Sequence, residues 1–498
     1  MKQKQIFLNA FTTSAQELAS AVVLFLLYRF IIHAIGIERF GVWSIILAST
    51  SVVALANQGL STSVVKFVAK YAAQEKSAEV SALIQTAMVS IGISLAVISI
   101  GLYPATKWTL RLLLPSAMIR EANQVLPFAL ISLWINVVGS ILLAGLTGLE
   151  RITQRNYVLL GGSIAFLFLA YVLVPGRGLL GLAYAQTTQA IACLFASWIL
   201  LRQKIPHFPA IPRRWDRSLF REMRSYGMHF QFITISQAIR EPVTKALLAR
   251  FGGLAMTGYY DMASRWVVSF RELLVQANQV LMPTVSRLKE RDPKSLPALY
   301  RESYRLIFYL AVPTFAFVVI AAPLVSRVWI GSYQPAFVRF VALLAAGWLV
   351  NVLANPAYVF DMGTGALRWV SIGCLATGIL NAGLGFVLGG RFGATAVVAI
   401  SASTLALGYT IILISYHVQN RASLAILAPR ESAWIVLSST LAIFVFLPAF
   451  PPAPSSHEHP FQLLAEASGL LLAMIGIPMW IHPLRRRLIN WALLRQLA

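Results

Sequence analysis

The chain has 498 residues, 58% of them hydrophobic and only 12% charged, with a formal net charge of +23. Soluble proteins are about one-quarter charged, and single aqueous cores stop growing beyond roughly 250–300 residues. A soluble enzyme, a fibrous protein and a disordered chain are therefore excluded, and a polytopic membrane protein remains.

A membrane-crossing helix needs about 20 mostly apolar residues, whereas transmembrane strands alternate over about ten. Long apolar runs predict an all-α protein of about fourteen transmembrane helices. In chain order they are Phe11–Ala34, Phe40–Val65, Val80–Leu102, Val125–Gly148, Tyr157–Val174, Leu179–Leu201, Tyr226–Arg250, Thr257–Val285, Tyr304–Ala322, Phe337–Phe360, Val370–Leu388, Gly393–Ser415, Ala433–Phe450 and Leu463–Ile481. Two lysines precede span 1 and no small-residue cleavage site follows it, so a retained span is expected and not a signal peptide.

An ionisable group at the bilayer centre costs about 2.5–3.5 kcal/mol on insertion scales, which makes it a functional candidate. Span 1 carries Asn9, Thr13, Gln16, Glu17 and Ser20 on one stripe. Arg29 lies near its far end, facing a lumen or snorkelling to the interface. Span 2 adds Asn57 and Gln58. Span 7 places Thr234, Gln237, Glu241, Thr244 and Lys245 on one face with Arg240 beside it, and Pro242 predicts a kink. In span 8, Asp261, Arg265, Ser269, Glu272, Gln276 and Gln279 recur at steps of three and four, and Arg271 widens the stripe. Such faces avoid lipid. They meet one another, line a watery cavity, or satisfy themselves as i,i+4 pairs, Asp261 with Arg265 and Glu241 with Lys245.

Loop charge sets the orientation. With the N-terminus cytoplasmic, 27 Lys and Arg fall in cytoplasmic segments and 9 outside, so both termini are expected in the cytoplasm. The positive charge then reflects topology and attraction to anionic lipids, and no nucleic acid is expected as a partner. The two cysteines, Cys193 and Cys374, lie in apolar runs and support neither a disulfide framework nor a metal cluster. No phosphate-binding glycine loop appears. No metal, no cofactor and no catalytic residue is expected.

The chain repeats weakly. Gly36 and Gly41 at span 2 answer to Gly252 and Gly258 at span 8. Pro104 answers to Pro323, Asn136-Val137 and Gly148 to Asn351-Val352 and Gly363, and Gly176-Arg177 to Gly390-Arg391. Six spans per copy bring both halves in from the same side, a parallel repeat about the membrane normal. The expected organisation is an N-terminal lobe at 1–201, a basic linker at 202–225, a C-terminal lobe at 226–416, and two added helices with a basic tail at 417–498. In the linker, Trp215, Leu219, Phe220 and Met223 share one helical face and Arg214, Arg217, Arg221 and Arg224 the other, which predicts an interfacial helix.

The segment Ile35-Gly36-Ile37-Glu38-Arg39-Phe40-Gly41-Val42-Trp43, followed by Asn57-Gln58-Gly59-Leu60, resembles the start of bacterial polysaccharide flippases. These are the O-antigen and exopolysaccharide transporters of the multidrug/oligosaccharidyl-lipid/polysaccharide exporter superfamily. Gly258-Tyr259-Tyr260-Asp261-Met262-Ala263-Ser264-Arg265, with Pro283 and Ser286 beyond, resembles that family's helix 8. The resemblance implies two six-helix lobes around a cavity that opens alternately to each side of the inner (plasma) membrane. It implies an undecaprenyl-diphosphate-linked sugar repeat unit as cargo, and a polysaccharide polymerase as a downstream partner. Arg240, Lys245, Arg265, Arg271, Arg29, Asn57 and Gln276 are the expected cargo residues, since guanidinium and ammonium groups suit a diphosphate. Glu17, Glu241, Glu272 and Asp261 are the expected sites of coupling to a proton or sodium ion. The rival readings are a drug or cation antiporter of the same superfamily and a polytopic glycosyltransferase or polymerase.

Overall fold

The computed structural model describes residues 3–446, except 55–57, 206–207, 210, 224–234, 236, 238, 280, 282–284, 287 and 290–291, and then residues 476–482. Every regular element among these is helical, as lipid demands of a chain whose backbone polar groups find no water. Seven described helices are long and apolar enough to cross a membrane. The protein is a multi-pass, all-α membrane protein.

The chain divides into two compact units, Met1–Gly258 and Tyr259–Ala498. The first holds α1 (Gln3–Ala54), α2 (Gln58–Ala73), α3 (Ser77–Leu113), α4 (Ser116–Gly148), α5 (Ile152–Arg202), the short α6 (217–223) and α7 (Arg240–Phe251). Here α4 and α1 pack along α5, α2 lies against α3 and α4, and α7 lies against α1. The helix α8 (Leu254–Gln279) leads into the second unit. There α9 (Leu296–Ile320) packs on α10 (Pro335–Thr364), α10 on α11 (Leu367–Gln419), and α12 (Ala433–Phe446) on α9.

Three helices run 51–53 residues. At 1.5 Å per residue that is about 75–80 Å, more than twice the hydrocarbon thickness of about 30 Å, so each must hold two spans. The joint in each is one glycine: Gly36 in α1 (φ 82°, ψ 162°), Gly178 in α5 (φ 55°, ψ −131°) and Gly393 in α11 (φ 71°, ψ −159°). These conformations are open almost only to glycine. The spans predicted as separate elements at 157–174 and 179–201, and at 370–388 and 393–415, are thus continuous chain bent at one residue.

The bends also carry the repeat. Positive φ occurs at Gly36 and Gly253, 217 residues apart, at Glu150 and Gly365, 215 apart, and at Gly178 and Gly393, 215 apart. The weak sequence repeat therefore has a backbone counterpart. Gly41 serves a different need: a Cβ there would overlap the Leu254 carbonyl oxygen, and one on Gly258 would press on Ile37. Gly41 and Gly258, one from each pair, are where two helices touch backbone to backbone.

The linker forms a short helix over part of the expected amphipathic stretch and lies on the first unit, with Met223 buried but Trp215 ahead of the helix and exposed. Asp216 starts α6 by accepting from the Ser218 and Leu219 amides at 2.7 and 3.2 Å. Its hydrogen bonds from the Ser218 hydroxyl, then the Leu219 and Ser218 amides, hold its carboxyl below the usual range. Met223 is fully buried in a core with Val64, Val68, Leu83, Leu146 and Leu201, while Arg217 and Arg221 stay exposed. The Arg213 and Arg214 amides both donate to Gln85 Oε1, and the Trp215 indole donates to Ser90. Arg224 lies outside the described residues.

Candidate functional site

In the first unit the predicted residues converge on α7. Lys245 is 5% exposed, and its Nζ lies 2.9 Å from Glu241 Oε1 one turn earlier. Glu241 itself is half-exposed. Arg240 is buried, and its carbonyl accepts from the Thr244 hydroxyl at 2.9 Å. Lys245 lines a cleft of about 350 Å³ between α1, α3 and α7, together with Ile45, Ser49, Thr106, Thr109 and Pro242. The cleft is apolar apart from the ammonium and a few hydroxyls, so charge enters it at one point. Pro242 follows helical turns on its N-terminal side, where the Ile239 amide donates to the Ile235 carbonyl at 3.1 Å, so its missing N–H interrupts the helix as the expected kink requires; residues 224–234, 236 and 238 lie outside the described residues.

The rest of the first-unit stripe divides. Gln16 and Ser20 are buried and bonded to each other at 3.0 Å, and Asn156 of α5 donates to Thr13. Arg29 is exposed, with its carbonyl 2.7 Å from His33 Nδ1. Asn57 lies outside the described residues, as do the side chains of Glu17 and, on α8, Gln276.

In the second unit α8 presents the expected row. Asp261, 1% exposed, accepts from Arg265 Nε at 2.9 Å, and Arg265 is about one-third exposed. Two turns on, Arg271 is held from three sides. Its Nε donates to Asn351 Oδ1 at 3.2 Å, its Nη1 to Glu272, and its guanidinium lies 5.1 Å from the centre of the Trp348 ring. Its Nη2 has no hydrogen-bond partner among the described residues. A guanidinium fixed on one edge and open on the other can grip an anion with little loss of freedom. Sequence reasoning missed Trp348 and used Asn351 only as a repeat marker. Both lie on α10, some 80 residues away, and no local spacing announces them.

The chain matches the family described as "Polysaccharide biosynthesis protein" over residues 35–337. No curated protein sequence matches it. Among solved structures it resembles an inward-facing multidrug resistance MATE family transporter of the MOP superfamily, with a TM-score of 0.72 and 14% identity over 81% of this chain and 95% of that one. It resembles the lipid II flippase MurJ in an inward closed conformation with a TM-score of 0.70 and 13% identity, over 97% of this chain and 100% of that one. A MOP superfamily transporter from Pyrococcus furiosus, described as having a binding pocket of reverse polarity, gives 0.54 and 13% over 84% and 94%. These likenesses establish the fold.

Proposed function

Because the chain belongs to the polysaccharide biosynthesis protein family, we propose that it is a flippase for undecaprenyl-diphosphate-linked oligosaccharide repeat units. It works by alternating access, with both termini in the cytoplasm of a bacterial inner membrane. The observation that carries the reading is Arg271. Its guanidinium is recessed and steadied by Asn351, Glu272 and the Trp348 face, and its Nη2 has no hydrogen-bond partner among the described residues. That arrangement suits a diphosphate, whose oxygens accept charge-assisted hydrogen bonds. In the first unit, Lys245 lies buried in an apolar cleft, paired with Glu241.

A drug or cation antiporter needs acid in excess. The described acids on α7 and α8, Glu241, Asp261 and Glu272, each bear a cation instead. The driving force fits an anion moving outward from a negative cytoplasm: at about 2.3 kcal/mol per charge per 100 mV, a cargo of charge about −2 gains roughly 4–5 kcal/mol.

The test is a reconstituted flipping assay with defined lipid-linked oligosaccharides. The parent protein should move them, Arg271→Ala should not, and Arg271→Lys should recover part of the rate. Equal rates for all three would remove the diphosphate role. No flipping by the parent of any lipid-linked oligosaccharide would remove the reading.

A further inference from the structure

Asp361 is an acid that the reading above leaves unused. It sits in the last turn of α10 and is 3% exposed. Its Oδ2 has no hydrogen-bond partner among the described residues. Its own carbonyl accepts from the Gly365 and Ala366 amides, which closes the helix end around it.

Its chain neighbour Phe360 packs on aromatic rings from two other helices, Tyr300 of α9 at 5.5 Å and Tyr416 of α11 at 6.1 Å. The Tyr300 ring lies 4.3 Å from that of Tyr416. His417 stands beyond Tyr300 and is engaged at both nitrogens, with Nε2 2.9 Å from the Tyr300 hydroxyl and Nδ1 3.2 Å from the Ala422 carbonyl. The carbonyl can only accept, so Nδ1 carries a proton, and with the ring neutral the Tyr300 hydroxyl donates to Nε2. With His417 neutral, Tyr300 has no proton to give Asp361. Lys289 stands at the exposed end of the same helix, with its Nζ 2.6 Å from the Thr364 carbonyl.

An ionised Asp361 would therefore lie buried at the negative end of a helix dipole with no cation bonded to it among the described residues. Burying a charge on those terms costs several kcal/mol, and the neutral acid avoids that cost. The acids of α7 and α8 show the opposite arrangement, each in an ion pair.

We propose that Asp361 is a proton-binding site through which the protein couples to the proton gradient. In the packed arrangement its carboxyl is protonated. When water reaches the Tyr300–Tyr416 surround, the O–H bond breaks and the proton passes to water, leaving the carboxylate hydrated. The coupling half rests on the transport reading above; the proton site rests on packing alone.

The experiment uses full-length protein in proteoliposomes, with the proton itself as probe. Infrared difference spectra across a pH series should show the carbonyl stretch of a protonated acid in the parent, absent from Asp361→Asn and restored at a shifted position in Asp361→Glu. A pH-sensitive dye should report one proton fewer released by Asp361→Asn on an alkaline jump. If Asp361→Asn does not fold, the shifted band of Asp361→Glu decides. A band unchanged in both variants, or missing from the parent, overturns the site. Flipping by Asp361→Asn that keeps the parent's pH profile, or that follows a sodium gradient in its place, overturns the coupling. A parent that shows the band yet flips nothing sinks the transport reading and leaves the proton site standing.

Discussion

Lys70 Nζ on α2 lies 2.9 Å from Glu222 Oε1 on α6, across 152 residues of sequence, and the Tyr71 hydroxyl donates to the other carboxylate oxygen at 3.0 Å. Burial works against the Glu222 carboxylate, but the hydrogen bonds from Lys70 and Tyr71 outweigh it and hold the group below its ordinary range. The same bond raises Lys70. The sign follows. Glu222 contributes stability above its unfolded value of about 4.3, and loses it as pH falls through the lowered folded value. Lys70 contributes below about 10.4 and loses its share as pH rises through the raised value. Thermal unfolding of the parent and Glu222→Gln in detergent should differ most between these limits and converge in acid. A gap that stays constant down to acid pH would show that the pair does not fasten the linker.

Met223, one residue on, is the apolar half of the same fastening. Truncating a buried Met typically costs about 2–5 kcal/mol. Met223→Ala should therefore lower the melting temperature, whereas Arg217→Ala and Arg221→Ala on the exposed face should not. Equal melting temperatures for all three would mean that α6 does not pack on the first unit in solution.

The bends make a separate prediction. Ala in place of Gly178 or Gly393 must adopt a backbone region that is essentially reserved for glycine, at about 1–3 kcal/mol each. At Gly178 the replacement is not expected to act by crowding, since the nearest neighbour of an added Cβ is Glu121 at 3.6 Å. Loss of thermal stability should therefore appear without a steric cause. Gly176→Ala, in an open position with ordinary backbone, is the control and should match the parent.

Those glycines show how much of the fold could be read from residues alone. Span positions follow from apolar run length, and the linker's two faces follow from the spacing of Trp215, Leu219 and Met223 against Arg217 and Arg221. The bends at Gly178 and Gly393 were legible only as breaks between spans. A short glycine-containing stretch looks the same whether it forms a loop or a one-residue hinge. The ion pairs of α7 and α8 were legible because i,i+4 spacing is local. Asp361 was not. At the end of an apolar run and just before Gly363 and Gly365 it resembles an ordinary span-end residue. Its burial arises only in the fold, where its neighbour Phe360 packs on Tyr300 and Tyr416 from other helices.

Asp261 and Arg271 should separate stability from transport. Arg265→Ala removes the guanidinium 2.9 Å from a carboxylate that is 1% exposed, so it should lower the melting temperature as well as transport. Adding Asp261→Asn should recover the melting temperature, because the neutral amide needs no cation. Arg271→Ala leaves Glu272 partly exposed to solvent and should lose transport while keeping most of its stability. The reverse pattern, a stable Arg265→Ala beside an unfolded Arg271→Ala, would exchange the two roles.

The pair on α7 is asymmetric, and that yields the last prediction. Lys245 is 6% exposed at its side chain and Glu241 49%. Removing the exposed partner takes a carboxylate from a buried ammonium; removing the buried partner leaves an acid that water can still reach. Glu241→Gln should therefore destabilise more than Lys245→Met, by about 1–3 kcal/mol, less than the 3–5 kcal/mol of a fully buried pair because Glu241 is half in solvent. The double variant should lie close to Lys245→Met, since its methionine fits a cleft lined by Ile45 and Pro242. Transport should order differently. If Lys245 contributes charge to cargo, Lys245→Met loses activity that its stability does not explain, whereas Glu241→Gln keeps activity at temperatures where it is folded. Melting curves and flipping rates on the same three variants decide it. Should Lys245→Met flip at the parent's rate, the ammonium serves only to pair with Glu241.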